Sequence, residues 1–282
     1  MQKNFHPDNI HNQGYDFDFL VEQCPELKVF LTEKHQKTTI DFSNPKGIKA
    51  LNKALLFSYY DVKYWDFPDE NLCPPIPGRV DYLHYLSDLI TDEKSVKVLD
   101  IGTGATCIYP LLGAKKFNWD FVATDIDGNS LAIAQKIIQE NNLENNIKLR
   151  KQIQKEHILK GILKEEDAFT FTMCNPPFYK TEKEALEANQ RKTKNLKIKS
   201  QRNFSGNANE LWYVGGEKAF LHTYLYESSL FPEVSIWFTS LVSNKENIKS
   251  LEKSAQKLKV SEFRKIDMNQ GNKLTRIACW KF

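Results

Sequence analysis

The 282-residue chain lacks most of the features that hold small secreted, metal-bound or membrane proteins together. Its five cysteines, Cys24, Cys73, Cys107, Cys174 and Cys279, are scattered with no paired spacing. That argues against a disulfide framework or a zinc site and points to free thiols in a reducing compartment. The six histidines fall in no metal-ligand pattern, so no metal is expected. No apolar run approaches the ~20 residues that span a bilayer. The first residues are polar and mixed in charge, unlike a secretory leader. A soluble, cytoplasmic protein without membrane contact is the expectation. Gly/Ser runs, internal repeats and low-complexity stretches are absent too, so nothing marks a flexible linker. Charge of either sign is nearly balanced, with a net of +3. Any affinity for nucleic acid must then come from local clustering rather than a global field.

What is present is enough apolar residue, 41%, to bury a sizeable core in one large domain or one domain with an appendage. The chain divides around Lys94. Residues 1–93 read as a small, mainly helical and proline-rich extension expected to bind RNA. Asp16 to Val21, Pro25 to Leu27 and Pro45 to Tyr60 start helices, the last with a stripe of Ile48, Leu51, Leu55 and Phe57. An ordered, extended run from Cys73 to Arg79 holds three prolines. A helix over Tyr82 to Ile90 follows. Residues 94–282 alternate strands with helices. Strands are expected over 96–101, 121–124, 147–150, 169–174, 234–241, 260–266 and 276–281, the last two as an antiparallel pair. Such alternation predicts an α/β, Rossmann-like domain: a seven-stranded, mostly parallel sheet with helices on both faces. Ligands then bind at the carboxyl ends of its strands.

Three motifs fall at such ends. Val96 to Ile101 is a buried-strand pattern containing Asp100, and it runs into Gly102-Thr103-Gly104-Ala105-Thr106. Paired glycines at a strand-to-helix turn let backbone approach a ligand closely. The next strand ends in Asp125, placed to accept bonds from ribose hydroxyls. Cys107 stands where a dinucleotide fingerprint needs its third glycine, so a nucleoside-type cofactor is favoured over a dinucleotide. The third motif, Asn175-Pro176-Pro177-Phe178, ends the strand Phe169 to Cys174. Two prolines fix their own φ and remove two donors, and Pro176 pushes Asn175 out of the helical region. A rigid turn results, with one amide side chain, carbonyls free of competing N–H groups and a flat ring. It suits a planar amine: Asn175 and a carbonyl accept the two hydrogens, and Phe178 stacks on the face.

Beyond the turn, over 180–209, apolar periodicity fades. Arg191, Lys192, Lys194, Lys197, Lys199 and Arg202 fall in a window with no acidic residue. A charge run is often a solvated loop. Its place directly after the turn favours a basic loop that grips RNA phosphates, with Lys3, His6, His11 and Lys28 extending the surface. Arg79, held by the proline run, reads as a clamp for a carboxylate or a substrate.

On these residues the chain resembles class I S-adenosylmethionine-dependent methyltransferases that act on an amino nitrogen. More closely, it resembles the ribosomal RNA large subunit methyltransferase F family, and it is similar to the catalytic domain of the eukaryotic U6 small nuclear RNA adenosine methyltransferase. The resemblance rests on His6-Pro7, Tyr15-Asp16-Phe17, Asp41-Phe42, Leu72 to Tyr82, Asp100 to Gly113, Asn175 to Phe178, Glu210-Leu211-Trp212, Gly215-Gly216-Glu217 and Trp280. It implies S-adenosyl-L-methionine as cofactor, held by Arg79, Asp100, Gly102, Gly104, Thr106, Asp125 and Asn175, with Asn175 to Phe178 as the catalytic turn. The implied reaction is methylation of the exocyclic N6 amine of one adenine in 23S rRNA. The partner would be that RNA or a large-subunit assembly intermediate, met by a monomer. Two other readings stay open on the residues alone: a protein glutamine-amide methyltransferase, whose substrate fits the same turn, and an RNA-binding assembly factor without turnover.

Overall fold

A computed structural model of the protein describes residues 5–90, 95–184, 187, 212–270 and 273–282. The six basic residues from Arg191 to Arg202, together with Lys3, Glu210 and Leu211, lie outside the described residues.

A seven-stranded sheet forms the centre. It is built from β3 (Lys97–Ile101), β4 (Asp120–Asp125), β5 (Ile147–Lys151), β6 (Phe169–Cys174), β7 (Ser235–Val242), β8 (Glu262–Gln270) and β9 (Lys273–Lys281). Their order is β5-β4-β3-β6-β7-β9-β8. The first five strands pair in parallel, and β9 runs antiparallel to both β7 and β8. The order reverses at β3, so the ends of β3, β4 and β6 meet at the switch point where ligands bind in such sheets.

Alternation along the central strands feeds two cores. Phe171 and Met173 of β6, with Trp237 and Leu241 of β7, face α2 (Pro45–Tyr60), α3 (Ile76–Ser87), α4 (Ile108–Phe117) and α5 (Gly128–Glu140). Cys174, Phe238, Val242 and Trp280 face α6 (Gly216–Leu230) and α7 (Lys245–Lys257). The first core takes residues from both sides of position 94: Leu55, Ile76, Val80 and Leu83 join Val98, Phe121 and Ile137. The indole of Trp280 is fully buried and donates to Ser228 Oγ at 2.8 Å.

A line of hydroxyls crosses the sheet between these cores. Tyr82 of α3 meets Thr239 Oγ1 at 2.8 Å, Thr239 donates to the Thr172 carbonyl at 2.9 Å, and Thr172 Oγ1 bonds Tyr224 of α6. All four side chains are fully buried. Burial without partners would cost each hydroxyl about 1–3 kcal/mol. The line therefore ties α3 on one face to α6 on the other.

The N-terminal segment departs from the sequence reading in four places. Helix α1 (Phe17–Gln23) is followed by a 3-10 turn, and then by a hairpin of β1 (Leu31–Lys34) and β2 (Lys37–Ile40) that the sequence does not announce. Its two turn residues, His35 and Gln36, both have positive φ, 51° and 59°, without the Asn-Gly or Asp-Gly signal of such turns. Helix α3 begins at Ile76 rather than Tyr82, because Pro77 near its start gives up an N–H that has no helical partner anyway. Arg79 thus sits on the first turn of a helix and not at the end of an extended run. On α2 the stripe includes Leu56, fully buried, while Phe57 is 40% exposed. His6 and His11 are buried and add nothing to a basic surface. The His6 backbone N–H binds Asp81 Oδ1 at 2.7 Å and its ring pairs with Asp88. His11 bonds the Tyr60 hydroxyl, and burial lowers its pKa to about 4, leaving it neutral.

Candidate active site

Asp100 is fully buried in β3, paired across to Ala123 and Met173. The chain then turns through Gly102 and Gly104 at φ of 76° and 63°, a region side chains avoid. A Cβ at Gly102 would meet nothing within 4 Å, because this turn faces an open cleft. The N–H groups of Gly102 and Thr103 both donate to the Thr124 carbonyl, which lashes the turn to β4. Cys107 caps α4 in the left-handed region at φ 49° without a side-chain cap bond, a conformation that costs a non-glycine residue free energy. Trp65 Nε1 holds the Thr106 carbonyl at 3.0 Å from the N-terminal side.

At the end of β4, Asp125 stitches two turns together. Its Oδ2 accepts from Gly104 N at 2.8 Å and its Oδ1 from Asp127 N at 2.9 Å. Burial pushes its carboxyl pKa up, and the N–H bonds oppose that shift. Each oxygen keeps a second lone pair for a ligand hydroxyl.

The end of β6 brings in the third group. Asn175 and Pro177 line the same cleft as Gly102, Gly104, Thr106, Asp125 and Arg79. Asp100 and Pro176 are buried and are not among the residues that line it. Phe178 is not among the lining residues either, and it is 46% exposed. The chain just beyond is pinned: Tyr179 and Trp212 form a β-bridge, and Tyr213 N donates to the Tyr179 carbonyl at 3.0 Å. Both ends of the segment that carries the basic run therefore start at the mouth.

Arg79 reaches the cleft from α3. Its Nη1 donates to the Tyr109 hydroxyl at 2.9 Å and its guanidinium lies over that ring, 5.5 Å from the centroid. Among the described residues no carboxylate pairs with it, so a ligand carboxylate is the partner it fits. Asn52 steadies the adjoining proline run through the Pro74 carbonyl at 3.1 Å. Gly215-Gly216-Glu217 proves structural. Both glycines have positive φ, and Glu217 accepts from Ser243 N, Asn244 N and Asn247 Nδ2, fixing the turn into α7.

One wall is not foreshadowed in the sequence. Gln152, His157 and Ile158, after β5, and Tyr213 and Phe220 line the cleft. Trp212 and Tyr109 lie within motifs quoted above, but His157 carries no sequence signal.

Two orphaned atoms test what the cleft can hold. Asp100 Oδ2 and Thr103 Oγ1 are buried with no hydrogen-bond partner. An acceptor stranded in this way fits a cationic donor beside the glycine turn. With Asp125 placed for ribose hydroxyls and Arg79 for a carboxylate, the set matches an amino-acid-bearing nucleoside. Cys107 and Cys174 are held as thiols, since burial drives both pKa values far upward.

Comparison with known proteins agrees. A family model described as RNA methyltransferase matches residues 1–282. Ribosomal RNA large subunit methyltransferase F of Flavobacterium johnsoniae is 46% identical, over 99% of this chain and 93% of the relative. The protein of that name from Pseudoalteromonas translucida is 45% identical, over 98% and 92%. Among solved structures, the human METTL16 catalytic domain in complex with a MAT2A 3'UTR hairpin superposes with a TM-score of 0.86 at 30% identity, covering 99% of this chain and 96% of that one. The N-terminal domain of human METTL16 in complex with SAH gives 0.81 at 28% identity, covering 99% of each. With its class I methyltransferase fold and a cleft suited to S-adenosylmethionine, the chain belongs to the RNA methyltransferase family.

Proposed function

We propose that the protein methylates the exocyclic N6 amine of an adenine in large-subunit ribosomal RNA. The observation that carries this reading is that Asn175 and Pro177 of the rigid 175–178 turn line the same cleft as the glycine turn. S-adenosylmethionine supplies the electrophilic methyl group. An adenine amine is a poor nucleophile because its lone pair is delocalised into the ring. The Asn175 side-chain oxygen and the Pro176 carbonyl accept its two hydrogens and turn the lone pair out of the ring plane. Phe178 stacks on the base, worth ~1–3 kcal/mol. Positioning and fixed dipoles do most of the work, and the proton released passes to water. The thiols of Cys107 and Cys174 stay protonated, so neither acts as a methyl relay. The base must be unpaired or flipped to enter.

RNA as the substrate class is supported by the likeness to a domain solved with an RNA hairpin. Residues 1–93 carry nine Lys and Arg against fifteen Asp and Glu. Their share of the RNA contact then rests on shape. The electrostatic share falls to Arg191, Lys192, Lys194, Lys197, Lys199 and Arg202, whose flanking chain is anchored at the mouth.

Labelled S-adenosylmethionine offered with protein-free 23S rRNA, assembled large subunits and release factors tests the proposal. The expected product is N6-methyladenosine in the digested RNA. Label only in protein, or on another nucleoside, overturns it.

Asp100 makes cofactor binding depend on pH. Burial lifts its carboxyl to about 7, with the charge of Asp125 adding to the lift. In the empty protein the folded state holds this proton more tightly than the unfolded chain, so stability falls as pH rises from about 4 to about 7. A bound cation favours the carboxylate, so binding expels the proton. Affinity for S-adenosylmethionine should rise about tenfold between about pH 6 and about pH 8. Calorimetric titration at both values checks this, and Asp100→Asn should flatten the dependence. Equal slopes in the two proteins would remove Asp100 from the cofactor site.

A further inference from the structure

A polar face of helix α3 lies under the N-terminal segment. Pro77, Asp81, His84 and Asp88 follow one another at helical spacing and share that face. The His6 backbone N–H donates to Asp81 Oδ1 at 2.7 Å, and the His6 ring pairs with Asp88 at 2.9 Å and stacks on His84. The Asn9 amide Nδ2 donates twice, to Asp81 Oδ1 at 3.0 Å and to the Pro77 carbonyl at 3.1 Å. Its Oδ1 caps the 3-10 turn Ile10–Gln13 by accepting from His11 N at 3.1 Å. His6, Asn9, Asp81 and His84 are all buried.

Arg79 stands midway between Pro77 and Asp81, so it leaves α3 on the far side and lines the cleft. The helix has Pro75 as its N-cap and no side-chain cap bond of its own. Its first turn is held from behind by Asn9, while Tyr109 holds the Arg79 guanidinium in front. The clamp is therefore fixed at root and tip. A charged fork held at both ends meets a carboxylate without first losing freedom. Asp81 has no plainer role. Burial pushes its carboxyl pKa up, and its Oδ2 has no hydrogen-bond partner among the described residues. An apolar residue would fill the place at lower desolvation cost. What the carboxylate adds is the acceptor that ties residues 6–9 to the helix.

We propose that Asn9 and Asp81 are positioning residues for the cofactor carboxylate, acting through the first turn of α3 on Arg79. This rests on the reading of Arg79 as the carboxylate clamp. The N-terminal segment then completes the cofactor site without touching the cofactor.

The test measures binding of S-adenosylhomocysteine and of methylthioadenosine, which keeps the nucleoside and thioether but lacks the amino-acid end. Calorimetry without RNA compares wild type, Asn9→Asp, Asn9→Ala, Asp81→Ala, Arg79→Ala and the double variant Asn9→Asp/Arg79→Ala, with melting temperature recorded for each. Asn9→Asp keeps the cap on His11 N and loses only the donor to α3. It should weaken S-adenosylhomocysteine about tenfold and methylthioadenosine by less than about twofold, as expected when a preorganised clamp is loosened. Asn9→Ala, which adds no charge, and Asp81→Ala should show the same selective loss. Arg79→Ala should show it too, and Asn9→Asp added to it should cost nothing further. Equal losses for the two ligands, or a further loss in the double variant, overturn the inference. So does unchanged S-adenosylhomocysteine affinity in the folded Asn9 variants. Failure of all three Asn9 and Asp81 variants to fold would make the pair a support of the fold alone and overturn it as well. If Arg79→Ala weakens both ligands equally or neither, the clamp reading falls and the inference with it. If Arg79→Ala is selective and the Asn9 variants are not, only the inference falls. None of these measurements involves methyl transfer, so the proposed function is judged separately.

Discussion

Replacing Asn175 with alanine is expected to lower kcat by roughly 10²–10³, the loss seen when one fixed polar group is removed from a reacting centre. Cofactor affinity should change little. The glycine turn, Asp125 and Arg79 are held by bonds that Asn175 does not share. The reasoning turns on what the amine needs. Before attack its two hydrogens lie in the base plane, and the lone pair is spread over the ring. An acceptor held rigidly at the strand end costs no reorganisation when the nitrogen becomes tetrahedral. Pro176 and Pro177 provide that rigidity by fixing φ on both sides of a short turn. Single-turnover rates with saturating RNA and cofactor, set beside equilibrium binding of S-adenosylhomocysteine, check the assignment. A variant with unchanged turnover would show that Asn175 only shapes the turn. One that loses cofactor binding in parallel would make it a cofactor ligand alone.

Gly113→Ala is expected to cost about 2 kcal/mol of stability, enough to lower the melting temperature by roughly 5 °C in a chain of this length. Gly113 sits within α4, where alanine would ordinarily gain about 1 kcal/mol in helix propensity. Packing reverses the sign. An added Cβ would lie 2.3 Å from Cζ and 2.4 Å from Cε2 of Phe121, a ring buried in β4 with no room to withdraw. Either the ring or the whole of α4 must move. Helix α4 follows the glycine turn and carries Tyr109, the support for Arg79. Cofactor affinity should therefore fall along with stability. Phe121→Leu in the same chain should recover part of both, so the double variant is more stable than the separate losses predict. Thermal unfolding of the four proteins decides it. Additive losses would mean that the close approach of α4 to β4 is not what limits this site.

Some of this was legible because it is local chemistry. Asp100, the glycine pair and Asp125 announce themselves through an apolar strand that stops at residues needing special backbone angles. Asn175 to Phe178 does so through two prolines that leave little conformational choice. The apolar strands of the central sheet read directly, since they are buried on both faces and carry few polar interruptions. The β1–β2 hairpin was hidden because His35 and Gln36 adopt left-handed angles for which their side chains give no cue. The start of α3 was misplaced because a proline reads equally as the end of an extended run and as the opening of a helix. Asn9 and Asp81 were out of reach for a different reason. They are 72 positions apart and meet only when the N-terminal segment lies along α3. A lone buried carboxylate has no sequence signature until the N–H groups it serves are known.

The hydroxyls of Tyr82, Thr239, Thr172 and Tyr224 carry a consequence for how the chain finds its register. Apolar contacts tolerate sliding, because one branched side chain replaces another at modest cost. A slip of one residue in β7 against β6 would send Thr239 to the wrong face and strand its hydroxyl and that of Tyr82 together. The polar line therefore acts as a proofreading check across the sheet. Only one alignment satisfies it, and in that alignment Asn175 emerges beside the glycine turn.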